Sequence, residues 1–303
     1  MSLVMRLSRR FLEFFKCLLC SALCMLASGH LDAESIHAGR CDPLVTSWLL
    51  AKGDSLVGIG SYAMARSVYD SVSRVSMEQG DLSVGLRALV SRGMLYNIWI
   101  SPEEVEATSR EADSLLTWLV QAEIKGGAGM EKHALESVSG ETVANVFHLR
   151  SLARLFERSY EEALLVLDTA IQIRKTNWQD RGVRGRLLDD FRLKLHLYLS
   201  WGKELDAIRV GKTAVYLAET MGIECHSKTG RLHLLLAEAY GRLDSVDQEM
   251  AHLQWAGNIL EGLQGYPVEQ MQLHLGWVRK YCDKNGLSEK ESHLETMCYI
   301  IEN

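Results

Sequence analysis

The sequence predicts an all-α chain, an α-solenoid of stacked antiparallel helical hairpins, and three observations lead there. Along 303 residues apolar side chains recur at helical rather than alternating spacing, and Val/Ile/Thr-rich alternating runs are nearly absent. The only prolines are Pro43, Pro102 and Pro267, each at a place where a helix would open. Small residues also stand seven apart within single helical segments, as Ala163 and Ala170 and again as Ala207 and Ala214. A small residue every second turn lets a neighbouring helix approach closely, which stacked hairpins require.

Taken in order, Pro43 opens a first helix near residues 44–51, after a polar lead-in over 30–42. The second helix begins at Gly60-Ser61-Tyr62 and carries a stripe of Tyr62, Ala65 and Tyr69. Asp81 reads as the N-cap of a third helix over 82–99. Ser101-Pro102-Glu103-Glu104 combines a capping serine, a first-turn proline and acids at the positive helix end. It starts a fourth helix that runs to about 123 with Ala107, Ala112 and Leu116 inward. Gly126-Gly127-Ala128-Gly129 is a break. Residues 142–158 then place Val143, Val146, Phe147, Leu149, Leu152, Ala153 and Phe156 on one face, and Ser159 starts a partner helix to 173. After a link at 177–184, helices over 186–199 and 205–221 form one pair, and those over 229–243 and 246–263 the next. Pro267 opens a helix to 282, Asn285-Gly286 stops it, and 288–301 closes the chain. The resulting division is 1–29 leader, 30–125 N-terminal hairpins (units 1 and 2), 126–140 linker, 141–265 array (units 3 to 5) and 266–303 capping helices.

The leader has a basic start (Arg6, Arg9, Arg10, Lys16), an apolar run over 17–27 and small residues at Ala27, Ser28 and Gly29. That pattern reads as a secretory signal or a membrane anchor, so export to a bacterial periplasm or cell envelope is expected. Cys20 and Cys24 each follow leucine, which fits a lipoprotein signal poorly. Without the leader, 29 Lys/Arg face 38 Asp/Glu, against 33 and 39 in the whole chain. An acidic chain argues against nucleic acid as a partner. Hydrophobic residues make up 47 %, which excludes a wholly disordered chain. Beyond the leader only Cys41, Cys225, Cys282 and Cys298 occur, too scattered for a disulfide scaffold or a zinc site. Cys282 and Cys298 lie on adjacent expected helices, where either buried thiols or a disulfide would fit.

The hairpins recur at about forty residues, with Ala65, Val105, Ala163, Ala207 and Glu249 as equivalent places. The order of large, small and aromatic residues on a first helix, then two alanines on the second, appears in several units. Unit 3 shows Leu152, Ala153, Phe156, Tyr160, Ala163 and Ala170, and unit 4 shows Leu195, Tyr198, Gly202, Ala207 and Ala214. Unit 5 shows Leu236, Ala237, Tyr240 and Ala256, and unit 1 shows Gly60, Tyr62, Ala65 and Tyr69. Unit 2 keeps only Ala112. Over 45–263 the chain thus resembles the tetratricopeptide repeat (TPR) family. Its units exceed about 34 residues and lack the family's end-of-repeat proline, so it is similar to the longer-repeat members.

The resemblance implies a non-enzymatic protein–protein interaction scaffold or assembly factor with no cofactor, its first helices lining a concave groove. On that alignment the groove places hold Arg150, Arg154 and Arg158 in unit 3, Arg192 and His196 in unit 4, and Arg231, Glu238 and Arg242 in unit 5. Arginines at i, i+4 and i+8 share one helix face. Such a groove would select an acidic peptide or protein through bidentate guanidinium contacts. The bland alternative is a solvated face paired with Glu157, Glu161 and Glu162. A second functional expectation is an accessory of solute transport or sensing that binds a small anionic ligand. A third is a GDSL-like esterase, on Gly53-Asp54-Ser55-Leu56. The expected context is helical and the chain has no Asp-x-x-His, so Ser55 would lack its base. Gly211-Lys212-Thr213 echoes a phosphate-binding loop but falls inside an expected helix. His196, His233 and His252 read as surface or packed residues rather than metal ligands.

Overall fold

A computed structural model of the chain describes residues 43–58, 61–95, 101–124, 138–176, 181–223 and 226–261. It divides into two compact units, Met1–Thr46 and Ser47–Asn303, and the hairpin array belongs to the second. Among the described residues every regular element is an α-helix: α1 (Pro43–Gly58), α2 (Tyr62–Glu78), α3 (Leu82–Gly93), α4 (Pro102–Ile124), α5 (Gly140–Phe156), α6 (Tyr160–Thr176), α7 (Arg181–Ser200), α8 (Glu204–Thr220), α9 (Ser227–Gly241) and α10 (Val246–Glu261). None of the described helices is long and apolar enough to cross a membrane. The leader, the glycine cluster at 126–129, the capping helices and all of the cysteines lie outside the described residues.

Local sequence sets the helix ends. At Ser101 the side-chain oxygen accepts from the Glu104 N–H while the Glu104 carboxylate accepts from the Ser101 N–H, both at 3.3 Å, a reciprocal capping box. Asp81 and Ser139 cap α3 and α5 through the Val84 and Thr142 amides. At the other ends, Gly80, Gly202 and Gly222 turn the chain with φ of 76°, 74° and 66°. Each such turn closes with the paired backbone hydrogen bonds of a Schellman motif, as in Lys203 N–H to the Tyr198 carbonyl and Gly202 N–H to Leu199. Arg158 and Asp244 occupy the same left-handed place at φ 61° and 55° without being glycine.

The packing order is that of a solenoid. The pairs α3/α4, α5/α6, α7/α8 and α9/α10 form hairpins, while α1 and α2 share a core of Leu50, Leu56, Tyr62, Ala65 and Tyr69. Each second helix also packs on the first helix of the next pair: α2 on α3, α4 on α5, α6 on α7 and α8 on α9. First helices touch one another along the array, α3 with α5, α5 with α7 and α7 with α9, and the described second helices make no comparable contacts among themselves. Crowding on the first-helix side and splaying on the other curves the array, with first helices inside.

Small residues make the close approaches possible. Ala65, Val105, Ala163 and Ala207 are fully buried, as are Ala170, Ala214 and Ala256, and the unit 5 equivalent Glu249 is also buried. Gly211 explains the phosphate-loop echo: a Cβ there would lie 2.5 Å from Leu236 Cδ2 and 2.7 Å from Leu195 Cδ1. It is a contact glycine between α8 and its neighbours α7 and α9. Ala107, expected inside, is exposed, and the buried stripe of α4 is Val105, Thr108, Ser109, Ala112 and Leu119. Wedged between α3 and α5, α4 presents that stripe to both, and Ala107 falls outside it. Phe156, the last residue of α5, is 40 % exposed rather than core.

Candidate functional site

A buried polar network fixes the inner helices to one another. The Arg174 guanidinium of α6 is almost fully enclosed and donates to Glu141 and Asn145 on α5 and to Asp190 on α7. Asp190 in turn holds His148 Nδ1 of α5 at 2.7 Å. Burying a charge costs several kcal/mol unless it is paired and hydrogen-bonded, and here the acceptors come from two adjacent helices. The network therefore sets the register of α5, α6 and α7 and the position of the His148 ring.

On the inner side of that network lies a cavity of about 420 Å³. All five first helices reach it: α1 through Val57, α3 through Ser91, α5 through His148, α7 through Arg192 and α9 through Arg231. Residues of unit 1 and unit 5 thus line the same space. Arg186, Arg192, Lys228 and Arg231 bring four cations to it, against Asp54 and Asp189. Asp189 accepts from Lys228 Nζ at 2.5 Å, and Lys228 also donates to the Gly185 carbonyl at 3.0 Å. Burial opposes the Asp189 charge, but the Lys228 ammonium and then the Arg192 guanidinium outweigh it and hold the carboxyl well below the usual carboxylate range. Arg186 pairs with Glu141 at 3.1 Å. The Nε of Arg192 is buried and meets no hydrogen-bond acceptor among the described residues.

The lining from α1, α2 and the end of α3 is different in chemistry. It is built from Val57, Tyr62, Met94 and Leu95, with the Tyr69 hydroxyl donating to Asp54 at 2.7 Å. Burial, and then that hydrogen bond to a carboxylate, push the Tyr69 hydroxyl far above the ordinary tyrosine range, so it stays a neutral donor.

The eight groove candidates separate into distinct places. Arg192 and Arg231 line the cavity. His196, about one turn beyond Arg192 on α7, is accessible to solvent yet crowded by protein. Desolvation and then the Arg192 charge lower its pKa, with Glu238 opposing and Arg242 reinforcing. Arg242 donates to the Leu199 carbonyl and to Glu238, both at 2.6 Å, and so clamps α9 to the end of α7. Unit 3 departs from expectation. Arg150 pairs with Asp113 of α4 at 3.5 Å, and Arg154 with Glu157 at 2.5 Å and Glu162 at 3.4 Å. Arg158 does not share their helix face, because α5 ends at Phe156 and Arg158 sits in the left-handed turn. The solvated, paired reading thus describes Arg154.

Sequence reasoning missed Arg186, Asp189, Lys228 and His148. A signal was present: Arg186, Asp189 and Arg192 recur every three residues, which places them on one stripe of α7. The GDSL block lies within α1, with Ser55 exposed and Gly53 against the Tyr69 ring, so it is no strand-end nucleophile.

A second pocket, of about 470 Å³, lies between α8, α9 and α10. Its floor holds His233 and His252, with their Nδ1 atoms 2.9 Å apart and Trp255 against both rings. One ring donates and the other accepts, an arrangement open to two neutral rings. Desolvation, and the proximity of His252 to His233 and of Lys212 to His252, bring each pKa down to about 4.

No family model and no curated protein matches the chain. Among solved structures it is similar to a protein of Podosopora anserina described as a kinesin light chain with nearly identical TPR-like repeats, at 14 % identity and a TM-score of 0.45, over 73 % of this chain and 97 % of that one. A single-substitution form of the same protein gives 14 % identity and a TM-score of 0.46 over the same shares. A likeness of this size carries no weight for function, and the repeat architecture rests on the chain's own helix packing.

Proposed function

We propose that this chain is a non-enzymatic interaction scaffold of the bacterial cell envelope, which holds an acidic peptide or protein segment on the inner face of its hairpin array. The observation that carries the reading is the convergence of all five first helices on one cation-rich face of an otherwise acidic chain. Arginine presents a planar fork of donors suited to carboxylates, and cations at a concave surface steer an anionic partner toward it. The basic start and short apolar run of residues 1–29 support export or a membrane tether through the N-terminus.

The test is crosslinking in the native envelope followed by affinity capture and mass spectrometry, comparing the natural chain with Arg192→Glu. The reading expects a discrete, acidic partner whose recovery falls about tenfold or more on charge reversal, the scale of one lost charge-assisted contact. Equal recovery from both chains, or no enriched protein at all, contradicts it.

A further inference from the structure

The inner cavity is two-sided, and that carries an inference beyond peptide capture. One wall is cationic and contains an arginine whose buried Nε has no acceptor among the described residues. The lining from α1, α2 and the end of α3 adds the apolar and aromatic Val57, Tyr62, Met94 and Leu95 beside the Tyr69–Asp54 pair. Its volume of about 420 Å³ falls within the range of about 300–1,000 Å³ usual for small-molecule sites. This space brings the cations of α7 and α9 together with apolar residues from α1, α2 and the end of α3. We propose that the cavity binds a small amphiphilic organic anion, its carboxylate or phosphate head on Arg192 and its hydrocarbon body against Val57, Met94 and Leu95.

The chemistry of the lining supports that occupant. Arg192 lines the cavity, and an anionic oxygen there would accept a charge-assisted hydrogen bond from its guanidinium. Lys228 and Arg186 already hold Asp189 and Glu141, which leaves Arg192 to make the new contact. The His148 ring, fixed through Nδ1 by Asp190, is part of the lining. Removing the apolar body from water adds the non-directional part of the affinity. A bare inorganic anion would lose this second contribution, and an uncharged alcohol would lose the first.

The experiment is isothermal titration of the full chain with four probes: octanoate, octyl phosphate, octan-1-ol and inorganic phosphate. Saturable binding of octanoate or octyl phosphate is expected, with the tighter of the two identifying the head group. Octan-1-ol and inorganic phosphate should each bind about tenfold more weakly or worse. Arg192→Gln should weaken the anionic amphiphiles about tenfold while leaving octan-1-ol unchanged. Ser91→Phe, which fills the cavity without altering its charge, should abolish binding of all long-chain probes and serves if Arg192→Gln folds poorly. Absence of saturable binding overturns the proposal. So does octan-1-ol binding as tightly as octanoate, or undiminished octanoate binding by either variant. Because no protein partner is present, these outcomes are independent of whether the envelope crosslinking succeeds.

Discussion

Gly211 tests the packing account most sharply, because two opposing effects predict opposite signs. Alanine is favoured over glycine in a helix interior by about 1 kcal/mol, so Gly211→Ala should stabilise α8 if nothing else intervened. The structure says that something does: the new Cβ would meet Leu236 Cδ2 at 2.5 Å, and Leu236 Cγ and Leu195 Cδ1 at 2.7 Å each. Both leucines are fully buried and held by neighbouring helices, so they cannot swing into solvent. Overpacking costs about 1–3 kcal/mol, and three contacts of 2.7 Å or less on two buried leucines put this one at the upper end, about 2–3 kcal/mol. Against the propensity gain, the net expectation is a loss of about 1–2 kcal/mol, or about 2–8 °C in Tm for an array of this size. Gly257, in the C-terminal half of α10, is the control, since a Cβ there meets no atom within 4 Å. Gly257→Ala should therefore raise stability by about 0.5–1 kcal/mol. Thermal and urea unfolding followed by circular dichroism at fixed pH would read both. If Gly211→Ala proves as stable as the natural chain or more so, the close approach of α8 to α7 and α9 is not as described.

Other perturbations follow from the same structure. Arg174→Met should cost about 3–5 kcal/mol by urea unfolding, because it leaves Asp190 buried without its main counter-charge, whereas breaking the exposed Arg209–Asp206 pair should cost under about 0.5 kcal/mol. Arg158→Gly relieves a left-handed non-glycine residue and should stabilise by about 1 kcal/mol in the same assay. Acid should weaken the fold through His233 and His252. Unfolded histidines take up protons near 6.5 but the folded pair only near 4, so the unfolded state binds more protons between those values and stability falls as pH drops through that window. His233→Phe, which gives the position the apolar character that Phe191 has one repeat earlier, should flatten that slope in unfolding measured from pH 7 to pH 4.

Much of the fold was legible because its determinants are local. Capping at Asp81 and Ser101, the turn at Gly202 and the seven-residue spacing of Ala207 and Ala214 each follow from short-range rules, and each stands where expected. The turn at Arg158 was illegible, since a residue without glycine's freedom carries no signal of a left-handed conformation. Ala107 misled for another reason: a small residue marks a close approach only when its face meets a neighbour, and the orientation of α4 is set by α3 and α5. The candidate site was half legible. Arg192 and Arg231 follow from assigning first helices to the groove. Which arginines would be consumed by Asp113, Glu157 or Glu162 depends on inter-helix distances that spacing does not contain. Nor could one stripe on α7 reveal that α1 would line the same cavity from several units away, for that depends on tertiary packing.

The claim that matters most is that the inner face is the working face. Site-specific photo-crosslinking in the native envelope tests it directly, with a benzophenone amino acid placed at His196 on the inner side or at Tyr216 on the exposed face of α8. The account predicts a discrete crosslinked protein from position 196 and none of the same kind from position 216. The same adduct from position 216, with nothing from position 196, would contradict it.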